Sequence, residues 1–296
     1  MTRNRIPWSS WILGAASVVA FAGFAWPLLA AAVPAQAQAA VPAVALALVP
    51  ALVVAVALTL DREMYTARTV AMLGVLTAVG AAVRIAGTGV GGVEAVFIVL
   101  ILAGRAYGAR FGLLLGILTI ALSSVLWGGI GPWTPFQAFA CGWVGAGAGL
   151  LPRIRLRSPR AASRVEIAML AAYGVLASYA FGLIMNLWFW PFAVGSGTAI
   201  SYVAGAPIGR NLASFGLYSL ATSTLTWDTV RALTSAVGIL LAGTASLAAL
   251  RRARLGRSAV RPRSTAPRGG GTRTRRSTAP DAAAAPPTAP RPSARA

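Results

Sequence analysis

Apolar runs of about twenty residues recur along this chain, and they constrain its fold more than any other feature. The stretch Phe111 to Trp127, FGLLLGILTIALSSVLW, carries no charge at all. A helix of roughly 20 apolar residues is what crosses a ~30 Å hydrocarbon core. Only 11 % of the 296 residues are charged, against about 25 % in soluble domains. The expected fold is therefore all-α: a polytopic transmembrane bundle of about eight helices.

The runs place spans at 11–32, 41–60, 67–87, 92–107, 109–128, 135–151, 166–190 and 227–250. Residues 1–60 read as an N-terminal pair of helices and 61–257 as a six-helix membrane domain. The segment 191–226 reads as a long connector whose apolar stretch, 212–225, is a surface-lying or partly re-entrant helix. From 258 to 296 the chain is Arg, Pro, Ser, Thr, Ala and Gly without apolar periodicity. Such a tail cannot bury enough surface to offset its ordering entropy, so disorder is expected. The start has a second reading, since Arg3, Arg5, an apolar stretch and PAQAQA resemble a cleavable signal peptide. A signal core is about 7–15 residues, and the longer run favours a retained helix.

All 26 basic residues are Arg, and arginines accumulate on the cytoplasmic side of a membrane. In an eight-span chain only Arg84, Arg210 and Arg231 fall on the opposite side from the rest. Both termini are then cytoplasmic, in a multi-pass protein of the cell membrane. The tail arginines suit anionic lipid, and no specific nucleic acid is expected. The absence of His, with a single Cys, leaves no His/Cys metal site, Ser-His triad or intrachain disulfide. There is no G-x-x-x-x-G-K-[ST] phosphate loop either. No catalytic residue, metal or cofactor is expected.

Small residues recur four apart: Gly74, Ala78 and Ala82 in the third span, Gly108, Gly112 and Gly116 in the fifth, Gly145 and Gly149 in the sixth, and Gly174, Ser178 and Gly182 in the seventh. Such stripes let helices approach closely in lipid, and internal packing is the plain reading. Charges beside the spans are candidates for function. Glu94 and Asp228 stand at helix starts, where the dipole favours carboxylates. Asp228 has Arg231 at i+3, the spacing of a surface ion pair. Arg84 ends the third span against the arginine bias, within reach of Glu94 or a polar ligand.

The sequence GGIGPWTPFQAFACGW, 128–143, interrupts two apolar runs. Proline is well placed in a helix's first turn, so Pro135 starts the sixth helix while Pro132 stiffens its approach. Trp127, Trp133, Phe136 and Trp143 crowd this loop; Trp188, Phe189, Trp190, Phe192 and Trp227 fall on the same side. An interfacial belt explains aromatics, but not the amides Gln137 and Asn186 among them. Aromatic walls with a few placed amides describe a small-molecule pocket.

The blocks LGVLTAVGAAVR, FGLLLGILTIALSS, GGIGPWTPFQAFACGWVGAGAGLLP, NLWFWPF and ATSTLTWDTVRAL, in this order, resemble the substrate-binding (S) component of energy-coupling factor (ECF) vitamin transporters in its actinobacterial form. The resemblance covers about 66–254. It implies a six-helix core preceded here by two extra helices, binding a vitamin at the outer face, with cobalamin or a related corrinoid as the best match. It also implies docking on a transmembrane coupling (T) subunit driven by two ABC ATPases. The family's A-x-x-x-A stripe falls on Ala78 and Ala82, with Gly74 a turn earlier, as the T-subunit interface. Arg84, Glu94, Trp127, Trp133, Phe136, Gln137, Asn186, Trp188, Trp190 and Asp228 are the candidate substrate-binding residues. The alternatives are an intramembrane enzyme on lipid-linked substrates, which six acids without metal-binding spacing disfavour, and a non-catalytic scaffold.

Overall fold

A computed structural model describes residues 8–30, 66–87 and 91–255, with 40, 43, 44 and 47 as isolated positions. Most of the second predicted span, the PAQAQA segment and the tail from 258 lie outside the described residues. Among those described, all regular structure is helical. The helices are α1 (Trp8–Phe24), α2 (Trp26–Leu29), α3 (Ala67–Ala86), α4 (Val96–Tyr107), α5 (Ala109–Trp127), α6 (Thr134–Leu150), α7 (Pro159–Ala193), α8 (Ile208–Ser219) and α9 (Thr229–Leu255), with a π-helical segment, Leu220–Asp228, joining the last two. Four helical stretches are long and apolar enough to cross a membrane: Ala67–Ala86, Ala109–Trp127, Pro159–Ala193 and Ile208–Arg254. The fourth predicted span is shorter than expected: α4 has 12 residues, about 18 Å at ~1.5 Å per residue.

Local chemistry sets the boundaries. The Thr66 side chain accepts from the Thr69 N–H at 3.3 Å and starts α3, and Ser158 does the same for α7 by accepting from Ala161 N–H at 3.4 Å. Such caps satisfy donors that lack a partner in the first turn. Pro159 follows in the first turn of α7, and Pro135 lies in the first turn of α6, as its position predicts. α4 passes to α5 through Gly108 alone, whose φ of +104° is closed to most side chains. The 128–134 loop is held by a reciprocal pair: Gly131 N–H donates to Thr134 Oγ1 and Thr134 N–H to Gly131 O, both at 2.9 Å.

Two predicted boundaries are corrected. α7 runs 35 residues, roughly 50 Å, because the cap at Ser158 starts it two turns before the apolar run. Within 191–226 the apolar stretch 212–225 is not a separate helix of a long connector but part of a continuous helical run. Pro207 caps α8, and one helical rod of 47 residues runs from Ile208 to Arg254. At about 70 Å it is over twice the thickness of a hydrocarbon core, so part of it lies beyond. The loop before it is pinned by Asn211, whose side chain accepts from Val203 N–H at 3.1 Å and donates to Val203 O at 2.9 Å.

The glycine stripes of α5 and α6 face each other. A Cβ on Gly112 would meet the Gly145 backbone, one on Gly145 would meet Gly112, and one on Gly116 would meet Cys141. Gly149 likewise closes on Gly108 and Ala109. Internal packing is thus the role of these stripes. The α3 stripe differs: Gly74, Ala78 and Ala82 are exposed, while Leu73, Thr77, Gly80 and Ala81 turn inward.

α1 and α2 are packed onto this core. Phe24 is buried, edge-on to Phe136 at 5.0 Å, and Trp26 Nε1 donates to Trp188 O at 3.0 Å.

Candidate functional site

At the end of the bundle opposite the Arg105–Arg153 region, four charged side chains converge: Arg84, Glu94, Asp228 and Arg231. Arg84, in the last turn of α3, donates to Ser123 Oγ (3.0 Å) on α5 and to Gln137 Oε1 (3.1 Å) on α6. Arg231, in the first turn of α9, grips Glu94 through two nitrogens, Nε to Oε2 at 2.8 Å and NH2 to Oε1 at 3.2 Å. Its third nitrogen reaches Asp228 Oδ1 at 2.6 Å and Ser178 O at 3.4 Å. The guanidinium also lies 4.9 Å from the Phe181 ring centre and 5.7 Å from that of Phe97.

The Asp228–Arg231 pair is therefore not the surface pair that its i+3 spacing suggests. The side chains are 1 % and 7 % exposed. Burying two charges is tolerated only when the remaining donors and acceptors are also met, and here they are: Ser223 Oγ donates to Asp228 Oδ2 at 2.7 Å. The π-helical turn makes that bond. Residues five apart on an α-helix point about 140° apart, whereas i→i+5 geometry brings them within one turn of each other. Ser223 and Asp228 thereby share a face. Gly182 on α7 leaves the room, since a Cβ there would fall on the Asp228 carboxylate.

Two adjoining cavities, of about 210 Å³ and about 330 Å³, open onto this cluster and share Glu94, Gln137, Phe181 and Trp227 in their walls. Arg84, Ile120 and Cys141 complete much of the first. Asn186, Tyr218, Thr222, Ser223 and Asp228 belong to the second. Asn186 Nδ2 donates to Ser219 Oγ at 3.0 Å, which fixes its amide at the wall. The arrangement offers guanidinium, amide and hydroxyl donors beside two carboxylates, a lining for a polar molecule with both donors and acceptors. Among the described residues no group of three or more His, Cys, Asp or Glu could hold a metal.

Comparison with family models, curated proteins and solved structures finds no match to this chain. The family resemblance rests on the sequence blocks alone.

Of the ten candidate binding residues, the fold brings together Arg84, Glu94, Gln137, Asn186 and Asp228 around the cavities. The aromatic wall is corrected. Phe136 and Trp188 stack on each other at 4.3 Å, almost parallel at 4°, inside the core. Trp190 is fully buried in a second cluster with Phe215 and Tyr218, its Nε1 donating to Ile200 O at 2.6 Å. The reason is α1 and α2: Phe24 packs edge-on against Phe136 and Trp26 bonds to the Trp188 carbonyl, so these rings serve helix packing. Trp127 and Trp133 are 59 % and 43 % exposed and line neither cavity. The aromatics that do line them are Phe181, Tyr218 and Trp227, with Arg231 as the central cation. The sequence marks Trp227 only as one of the outer aromatics and Arg231 only as the i+3 partner of Asp228.

Gly182→Ala tests this packing. The added methyl displaces the Asp228 carboxylate and loosens its bonds to Ser223 and Arg231. We expect a loss of about 1–3 kcal/mol, the usual range for overpacking, read as a lower thermal midpoint of the purified protein. An unchanged midpoint would show that Asp228 has room to move.

Proposed function

We propose that this chain is the substrate-capture subunit of an ECF-type importer, a multi-pass protein of the cell membrane with both termini cytoplasmic. It binds its ligand at the outer end of the bundle and passes it on with a T-type membrane subunit and two ABC ATPases. The observation that carries this reading is the pair of polar cavities at the end of the bundle away from most arginines. That end faces outward under the positive-inside rule, and its wall of fixed amides, hydroxyls and a neutralised charge cluster suits capture without chemistry. The exposed α3 stripe of Gly74, Ala78 and Ala82 supports a helix partner that approaches closely.

The cavity volumes favour a compact ligand over a corrinoid. At about 210 Å³ and about 330 Å³ each is smaller than a corrinoid, so cobalamin would require the 128–134 loop and the Trp227 region to part. A compact polar vitamin with a carboxylate or amide fits without that movement, bonding to Arg84, Gln137 and Asn186.

The test is purification of tagged full-length protein from its native membranes. A membrane subunit and two ATPases co-elute with the wild type, and Ala78→Trp loses most of both while retaining bound vitamin by mass spectrometry. Elution of the wild type alone, under conditions that keep other membrane complexes intact, would sink the reading. A bound corrinoid would instead show that the cavities open.

A further inference from the structure

A third cavity lies at the other end of the bundle. It has a volume of about 930 Å³ and lies where the last turns of α4, α6 and α9 meet the start of α7. Four arginines line it, Arg105, Arg153, Arg251 and Arg254, against one carboxylate, Glu166. Glu166 takes the Nε of Arg105 at 2.7 Å and both terminal nitrogens of Arg251 at 3.0 Å and 2.7 Å. One carboxylate between two guanidiniums accounts for the inner part of the cluster. It leaves three positive charges in excess on the lining.

The floor and the rim differ. Arg105 is 6 % exposed, and its remaining nitrogens donate to Leu151 O and Pro152 O, which fixes it as structure. Arg153 and Arg254 are exposed at the rim, and Arg251 is 45 % exposed. Tyr107 is part of the wall, and its hydroxyl is buried without a hydrogen-bond partner among the described residues. A buried donor left unmet is costly, so it marks a place for an acceptor. Beside the arginines, Leu150 is 77 % exposed, an apolar shoulder suited to hydrocarbon.

We propose that this cavity binds the phosphate of an anionic phospholipid, with the rim arginines Arg153, Arg251 and Arg254 and the Tyr107 hydroxyl on the headgroup and an acyl chain along Leu150. Basic pockets between membrane helices take such headgroups because each guanidinium gives charge-assisted bonds to phosphate oxygens. A free phosphate would satisfy the arginines but leave Leu150 without a partner, which favours the lipid. The site is independent of the transport reading: it neither uses the opposite cavities nor needs a partner subunit.

The experiment places the full-length protein in phosphatidylcholine nanodiscs and adds phosphatidylglycerol, reading retained lipid by native mass spectrometry and the unfolding midpoint in parallel. Phosphatidylglycerol is retained selectively and raises the midpoint. Arg153→Gln with Arg254→Gln lowers its retention on the order of tenfold or more, whereas Arg261→Gln with Arg263→Gln, which removes the same charge from the tail, leaves it unchanged. Arg254 also donates to Ala106 O at the end of α4, so its loss could disturb the helix. Tyr107→Phe keeps every arginine and lowers retention several-fold, with the midpoint in pure phosphatidylcholine unaltered. Retention unchanged in both cavity variants, an equal loss in the tail variant, or equal retention of phosphatidylcholine overturns the proposal. Equal protection by millimolar inorganic phosphate overturns it in favour of a soluble anion.

Discussion

Arg231→Met unfolds this protein at a much lower temperature than the wild type, with a loss of about 3–5 kcal/mol, the cost of leaving a buried charge without its partner. Asp228 is fully buried and Glu94 partly so, and one guanidinium answers both. Removing it strands two carboxylates about a helix junction. Methionine keeps much of the stem's packing against Phe181 and Phe97, so the loss reports charge more than volume. Adding Asp228→Asn to the same chain restores part of the stability, because a neutral amide needs no counter-charge and still bonds to Ser223. A double variant as unstable as the single one would assign the effect to the Arg231 stem instead. Thermal unfolding of the three proteins in one detergent decides it.

The second large effect concerns the seam between α5 and α6. A methyl at Gly112 or at Gly145 lands on the backbone of the opposite helix, and backbone cannot rotate aside as a side chain can. Each alanine variant forces the helices apart, at about 1–3 kcal/mol. The double variant loses less than the two singles together, since a seam already parted for one methyl has room for the other; neighbouring sites couple in this way. Gly74→Ala is the contrast. Nothing lies within 4 Å of its added Cβ, so the change is neutral, or favourable by up to ~1 kcal/mol through helix propensity. Equal losses at Gly74 and Gly145 would mean that the stripe on α3 is as enclosed as that on α6.

How far these features are legible in the sequence depends on the distance over which their causes act. Pro135 and the glycine stripes act within a turn or across one close seam, and the helices they start or pack follow from spacing. The Ser158 cap lies outside the apolar run, which leaves its helix start unmarked. Arg84, Glu94, Gln137, Asn186 and Asp228 are recoverable because a polar group in an apolar run must be met by something. What it is met by is another matter. Arg231 reads as the i+3 partner of Asp228, and nothing local says that Glu94, 137 residues away, completes the cluster. The π-helical turn is invisible to any pattern that assumes 3.6 residues per turn. Phe136 and Trp188 resemble a pocket wall because the docking of α1 and α2 on the core has no sequence signature, and Trp190 because its packing against α8 has none either. Glu166 shows the same limit at the other end: an acid following Arg153 to Arg164 has obvious local partners, yet it pairs with Arg105 and Arg251 on helices far along the chain.

These two clusters have a mechanical consequence. α7 and α9 are latched near one end by Asp228 seated on Gly182 and by Arg231 on Ser178 O, and near the other by Arg251 on Glu166. Side-by-side helices fastened at both extremities cannot scissor or slide without breaking the Arg251–Glu166 ion pair or the Arg231–Ser178 hydrogen bond. They act as one stiff strut. A conformational change that admits or releases a molecule at the Arg84 end would then swing the remaining helices about this strut, with the hinge at the Gly108 joint and the 128–134 loop.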